Sequence, residues 1–466
     1  MTVPLATSQT LRNLGRDPPE PFRIELANGR LLTVNHLLRI LPGKRLTGIG
    51  TLDGMFVLVK LFIAQRGDKR HWEREHHGVV ALIERHIPTP KLLAADKLSG
   101  GGHYLLTEFL DGAHSLAEMH DATRQMATAC QTLGLMHAHG LVQEDAHLGN
   151  FLLRGDSLYV IDGDAIRTTS SGLERMKNLA LLLAQLSPVQ ETSVRNELIA
   201  AYRAGNPAVE LDVQQLAVEV TRARKLRLAD YLGKCLRDCS LFKVEKRRDR
   251  FVALVRDEAD FLAPIVADPE RWLDGGVILK QGRTATLAMI ESAGRKLVIK
   301  RYNIKNAGHA LSRCWRPSRA WHSWVEAHRL QYLGIDTPRP LAMIEQRLGP
   351  LRGRAWIVIE YCAGEGLAAH FATFVETGPP ASELQAVQTL FGKLADAQVS
   401  HGDLKATNLL WCENRLYLID LDAAHQYEGA GGTYARAWKK DRARFLQNWP
   451  EGSTLRRKLE SVLPGP

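Results

Sequence analysis

No apolar run in the 466 residues approaches the ~20 needed to cross a bilayer; the longest lies near Leu179–Leu186. Met1–Arg16 lacks the continuous apolar core of a signal peptide, so a soluble chain that stays in the cytosol is expected. Cysteine is scarce. Cys130, Cys235, Cys239, Cys314, Cys362 and Cys412 contain no Cys-x-x-Cys pair, which leaves no zinc site and no disulfide framework. Compositional bias is absent too: 45% hydrophobic and 24% charged residues are ordinary globular usage, which excludes wholesale disorder and a fibrous repeat. At roughly 100–200 residues per domain the length predicts two to four domains. Negative charge is in deficit, with 51 acidic against 61 basic side chains and a net charge of +10. That excess suits a polyanionic partner, whether nucleic acid, anionic lipid or phosphorylated sugar.

What is present is one arrangement written twice. Asp145-Ala-His-Leu-Gly-Asn150 precedes Leu158-Tyr-Val-Ile-Asp162-Gly-Asp164, and Asp403-Leu-Lys405-Ala-Thr-Asn408 precedes Leu416-Tyr-Leu-Ile-Asp420-Leu-Asp422. Asn follows Asp by 5 positions in both copies, and the second acid follows by 17. A single Asp-x4-Asn is expected about once by chance in such a chain. The shared pair of spacings, each with a strand pattern before the second acid, is not. Upstream, the strands Val57-Leu-Val-Lys60 and Leu297-Val-Ile-Lys300 each lead into a helical stretch, holding Glu75 or Glu326. Both stretches run into Ile-x-Thr-Pro, at Ile87–Pro90 and Ile335–Pro338, where proline ends the helix. Strand-like segments ending at Glu108 and Glu360 follow, then Gly-containing turns. The ordered recurrence predicts a tandem duplication.

These parts resemble those of the protein-kinase-like superfamily: a strand lysine, a helix glutamate, a catalytic-loop Asp-x4-Asn and a metal-binding Asp. Within it the chain is similar to the bacterial lipopolysaccharide kinase family, the heptose and Kdo kinases of the core oligosaccharide. That likeness rests on the Ile-x-Thr-Pro segment, Ile-Asp-x-Asp in place of Asp-Phe-Gly, the Trp/Arg-rich stretch Arg313–Trp321, and Lys-Asp-Arg-Ala-Arg-Phe-Leu from Lys440. It implies an α+β fold of two tandem protein-kinase-like bilobal domains, each with a β-rich small lobe and a helical large lobe. The expected boundaries are 1–258 for the first domain, 259–270 for a connector and 271–466 for the second. Asp441 has 25 residues after it, against 79 between Asn178 and 257, so an abbreviated second large lobe that leans on the first domain for cover is expected.

The resemblance also assigns roles. Lys60 and Lys300 would hold the ATP phosphates, paired with Glu75 and Glu326, and Glu108 and Glu360 would border the cofactor site. Asp145 and Asp403 would accept the proton of the attacking hydroxyl. Asn150 with Asp162, and Asn408 with Asp420, would ligate Mg²⁺, an ion that prefers oxygen. Lys405 would offset charge building on the transferring group, where the first copy has His147. Asp441 would tie down the catalytic loop, where the first copy has Asn178. Neither copy carries Gly-x-Gly-x-x-Gly, a departure that argues against a protein substrate more than against ATP. Asp164 and Asp422 read equally as metal ligands or turn formers, and His401 reads as structural.

The implied function is an ATP-dependent phosphotransferase acting on lipopolysaccharide core heptose or Kdo, or on a lipid-linked acceptor, from the cytosolic face of an anionic inner membrane. Trp315, Trp321 and Trp324 with Arg313, Arg316 and Arg319 read either as a glycolipid contact or as support for the small lobe. The alternatives are a small-molecule phosphotransferase of aminoglycoside or choline kinase type, and a nucleotide-binding pseudokinase scaffold. Basic runs such as Arg222–Arg227 read as solvated helix faces without a nucleic-acid motif, so no nucleic-acid partner is expected.

Overall fold

The computed structural model describes residues 3–119, 122–303, 315–429 and 431–465, so Arg313 and Cys314 lie outside the described residues. The chain divides into two compact units, residues 1–225 and 226–466, each with a β-sheet followed by a mainly helical region. Among the described residues no helix is long and apolar enough to cross a membrane.

The first unit carries a seven-stranded sheet in the order Leu5–Ala6, Phe22–Glu25, Leu31–Leu41, Arg45–Leu52, Met55–Phe62, His103–Glu108, Leu92–Lys97. Along Met55–Phe62 the side chains alternate, and Val57, Val59 and Leu61 go into one core. Lys60 therefore points to the opposite face, between Thr47 and Leu105 of the neighbouring strands. The helix Asp68–Glu84 follows, then the helical core built from Ala122–Ala138, Gly172–Leu183, Pro188–Gly205 and the start of Val213–Lys234.

The second unit's sheet runs Phe242–Lys246, Arg250–Val255, Pro340–Leu348, Leu351–Glu360, Arg295–Tyr302, Ala285–Ser292, Val277–Gln281, antiparallel throughout. Lys300 sits between Leu287 and Ile357, the counterpart of Lys60 in its own sheet. Five strands keep the same neighbour order in both sheets. The two additional strands lie beside the first of the five in unit one, and beside Pro340–Leu348, at the other edge, in unit two.

This placement differs from the expected boundary at 258. Strands 242–246 and 250–255 are hydrogen-bonded into the second unit's sheet, because Phe251 and Ala253 fill one of its faces while Val252 and Leu254 fill the other. The expected connector is likewise no free linker. Helices Ala259–Ala267 and Pro269–Asp274 bury Leu262, Ile265 and Leu273 against Ile290, Leu297, Ile299, Trp356 and Val358, roofing one face of that sheet. Helix Arg319–Tyr332 covers the other face with Trp324. A sheet roofed on both faces explains the unbroken apolar run Trp356–Ile359.

The second helical region is short, as expected: Leu367–Ala372, Ala381–Asp396, Gly432–Leu446 and Thr454–Val462. It is nevertheless filled by its own residues. Phe391, Trp438, Phe445, Trp449, Leu455 and Leu459 are buried in one cluster drawn from residues 327–463. The final helix, started by the Ser453 cap, closes that core.

Candidate active site

The Ile-x-Thr-Pro segments link the sheets to the catalytic loops. Each preceding helix stops three residues before the Ile, at Glu84 and Tyr332, and a left-handed residue turns the chain, His86 in one unit and Gly334 in the other. Pro88 then accepts a backbone hydrogen bond from Val160, and Asp336 accepts one from Leu418. Those are the strands that deliver Asp162 and Asp420.

Both of these acids adopt left-handed backbone, with φ of 71° and 62°. Their neighbours Ile161 and Ile419 donate N–H to the main-chain carbonyls of Asn150 and Asn408, at 3.0 Å each, so asparagine and acid lie side by side. The two asparagine amides donate Nδ2–H to the main-chain carbonyls of Asp145 (2.8 Å) and Asp403 (2.9 Å). With nitrogen committed to the loop, the carboxamide oxygen is the atom left to face the acid. The sequence spacing of five is the length of that loop.

Polar residues from the following helix anchor each loop. Asp441 accepts from the backbone N–H of His401 (2.6 Å) and Gly402 (3.0 Å). Asn178 accepts from Gln143 N–H at 3.0 Å and from His137 Nε2–H at 3.0 Å. His401 is buried and donates Nε2–H to Ile419 C=O at 3.0 Å, which supports the structural reading; Gln143 makes the same bond to Ile161. Burial drives the His137 pKa down to about 4, so it stands neutral between Asn178 and the Tyr202 hydroxyl.

The two aspartates expected to act as bases differ in their surroundings. Asp403 has Lys405 at 3.0 Å and Arg444 at 3.3 Å. Partial burial works to raise its pKa, but these two cations hold it below the ordinary aspartate value, keeping a carboxylate. Asp145 is exposed and lies 3.7 Å from His147. Arg444 was not assigned a role from sequence, although it lies within the quoted Lys-Asp-Arg-Ala-Arg motif, one helical turn after Asp441.

The lysines differ more. Lys60 meets Glu75 at 2.5 Å and Asp162 at 3.6 Å, and the buried Glu75 also accepts from the N–H groups of Gly163 (3.1 Å) and Asp164 (3.2 Å). Glu73, two residues earlier and so on a different face of the helix, pairs with Lys69 instead. In the second unit Lys300 meets Asp420 at 2.6 Å and Asp422 at 3.2 Å. The expected Lys300–Glu326 pair is not formed: Glu326 is bound by Arg329 at 2.9 Å. Counting back 12 residues from Ile87 gives Glu75, and 12 back from Ile335 gives Ser323, so Glu326 is three positions off the register. Ser323 Oγ donates to Asp422 at 2.7 Å.

Asp422 is neither a turn former alone nor a free ligand. It also accepts from Tyr302 Oη at 2.8 Å and from Arg319. Burial pushes its pKa up, but Lys300, Arg319 and the hydroxyl donors outweigh that and bring it to about 2. Burial opposes charge on Lys300 as well, yet Tyr302 and the two aspartates hold its pKa above the ordinary lysine value. Glu360 is engaged by Arg295 (3.3 Å) and Arg339 (3.4 Å), and Glu108 lies 3.7 Å from Arg154. Their side chains are thus committed to arginines at the ends of their strands.

The Trp/Arg stretch does not form one surface patch. Trp315 is exposed, Trp324 is fully buried, and Trp321 packs on Phe251 beneath the Arg352 guanidinium. Arg319 turns inward to Asp422. Among the described residues no group of three or more His, Cys, Asp or Glu is placed to hold a metal. Each cleft instead offers one carboxylate and one carboxamide, an oxygen-only donor set. That set fits Mg²⁺ arriving with phosphate oxygens and water better than a metal caged by protein alone.

Residues 267–443 match the model of the lipopolysaccharide kinase (Kdo/WaaP) family. The matched stretch holds Lys300, Asp403, Lys405, Asn408, Asp420 and Asp441. Among solved structures, one described as WaaP in complex with acyl carrier protein is 20% identical, covering 46% of this chain and 86% of that one, with a TM-score of 0.36. Another, of vaccinia related kinase 3, is 10% identical over 34% of this chain and 56% of that one, with a TM-score of 0.25. No curated protein matches the chain.

Proposed function

From the lipopolysaccharide kinase family stretch at 267–443, we propose that the second unit transfers the terminal phosphate of ATP to a hydroxyl of heptose or Kdo in the lipopolysaccharide core. What supports this reading is the linked set of contacts: Lys300 to Asp420, Lys405 to Asp403, Asn408 to the Asp403 carbonyl, and Asp441 to the backbone just before Asp403. Phosphoryl transfer demands positioning and charge neutralisation, and each residue serves one of these. Lys300 binds the nucleotide phosphates. Asp403, kept ionised by Lys405 and Arg444, orients the acceptor hydroxyl and takes its proton. Lys405 lies beside that base, where it meets negative charge growing on the transferred group. Asn408 and Asp420 would hold Mg²⁺, which when bound neutralises phosphate charge.

We extend the reading to the first unit as a protein-kinase-like copy produced by tandem duplication, with its boundary near 225. Lys60 and Glu75 would serve the nucleotide, Asp145 the acceptor, and Asn150 with Asp162 the metal. The acceptor is a core oligosaccharide or lipid-linked sugar, met at the cytosolic face of the inner membrane, where the +10 charge favours an anionic surface. The test is incubation of the protein with Mg-ATP and purified core oligosaccharide, followed by mass spectrometric location of phosphate on a sugar. In an Asp145→Asn background, Asp403→Asn should lower transfer by about 10²–10⁴-fold. Undiminished transfer in that double variant would refute both base assignments.

A further inference from the structure

We propose that Asp422, in place of a helix glutamate, positions Lys300 for the nucleotide phosphates in the second unit. The proposal rests on the kinase reading above and deepens it. In the first unit Glu75 can reach Lys60 because the helix and the turn after Asp162 touch backbone to backbone. A Cβ on Gly78 would lie 1.9 Å from the Gly163 carbonyl oxygen, and one on Gly163 would lie 2.4 Å from that of Glu75. Two glycines therefore permit the helix to seat its carboxylate over the lysine.

The second unit has neither glycine. The same count from Ile335 that gives Ser323 for Glu75 gives Glu326 for Gly78, and Leu421 follows Asp420 as Gly163 follows Asp162. Side chains at both positions exclude the close approach. The position of the helix acid is held by a serine, too short to reach a lysine but long enough to donate to Asp422 at 2.7 Å. Asp422 thus comes from the loop side and gathers Lys300, Tyr302, Ser323 and Arg319 about one carboxylate. A partly buried acid with four donors is fixed in place, and charge-assisted bonds are the strong kind. Asp420 also touches Lys300, but it is the residue proposed to face the metal. Asp422 remains as the partner with no other assigned duty, and it is a positioning residue because it acts through the lysine.

The test reads lysine placement without an acceptor. An acyl-phosphate derivative of ATP acylates the amine that lies beside its phosphates and releases ATP, and peptide mass spectrometry then reports labelling of Lys300 and Lys60 separately. Asp422→Asn should reduce Lys300 labelling about tenfold, the scale of a lost charge-assisted hydrogen bond, with Lys60 unchanged in the same chain. Asp422→Glu keeps a carboxylate on the loop side and should retain most of the label. In steady state Asp422→Asn should raise KM for ATP and leave KM for the acceptor alone. Unchanged labelling in Asp422→Asn would overturn the proposal, and so would loss in both variants, which would leave Asp422 a merely structural role. A wild-type chain whose Lys300 takes no ATP-protectable label would remove the nucleotide reading itself, and the proposal with it.

Discussion

Deleting residues 226–258 should unfold the second unit, although sequence alone places those residues in the first. Strands 242–246 and 250–255 supply Phe242, Phe251, Val252 and Leu254, all nearly fully buried. At ~1.5–3 kcal/mol for each large apolar side chain, the four contribute about 6–12 kcal/mol, as an upper estimate. The whole stability of a domain is only ~5–15 kcal/mol. Further losses follow, because Trp324 donates its indole N–H to Cys235 C=O at 3.1 Å and packs on the Phe242 ring at 6.0 Å, and both partners go. The deletion also uncovers the backbone edge of Pro340–Leu348. A fragment spanning 226–466 should therefore be monodisperse by size exclusion and melt cooperatively, since its core is filled by its own side chains. A fragment spanning 259–466 should aggregate, or melt at least ~12 °C lower at about 2–4 °C per kcal/mol. Equal melting temperatures for the two fragments would refute the reasoning.

Glu75→Gln takes from the partly buried Lys60 the nearer of its two counter-charges, leaving Asp162 at 3.6 Å, and should cost the first unit about 1–3 kcal/mol in denaturant titrations. Glu326→Gln, at a carboxylate paired with Arg329 and not with Lys300, should leave KM for ATP unchanged. Arg444→Gln removes one of the two cations that depress the Asp403 pKa, so the acidic limb of kcat/KM at the second site should move to higher pH; an unmoved limb would deny Arg444 that role. Burial lowers His137 to about 4 and His328 to about 3, against about 6.5 for an unfolded histidine. Below pH 6.5 the unfolded chain takes up protons that the folded chain refuses. Stability should thus be full above 6.5 and fall as pH drops towards 4, with His137→Gln flattening that fall in the first unit.

The parts legible in the sequence are those set by short stretches of backbone. Asp-x4-Asn closes a single loop, Ile-Asp-x-Asp ends a single strand, and Ile-x-Thr-Pro stops a helix three residues early in both units. Lys60 and Lys300 were legible because strand alternation leaves one polar residue facing away from an apolar row. The helix acid was not, since Glu326 and Ser323 are neighbours on one face and only the distance to Ile335 separates them. Asp422 escaped for a related reason: its partners Tyr302, Ser323 and Arg319 lie about a hundred residues away, and nothing local marks an acid as a hub. The expected boundary at 258 differs from the division at 225 because strands 242–255 find their partner across a similar gap.

That gap has a consequence for the order in which the molecule assembles on the ribosome. Phe22–Glu25 pairs with Leu31–Val34, which emerges within a dozen residues, so the added edge of the first sheet can form at once. Arg250 pairs with Gln346, and Leu254 with Ala342. The hairpin 242–255 must therefore wait for some ninety further residues, about 5–20 s at ordinary elongation rates. Until then Phe251 and Val252 have no sheet to enter. The second unit consequently closes late, and strands 277–281, 285–292 and 295–302 are all synthesised before its outermost pair has anything to join.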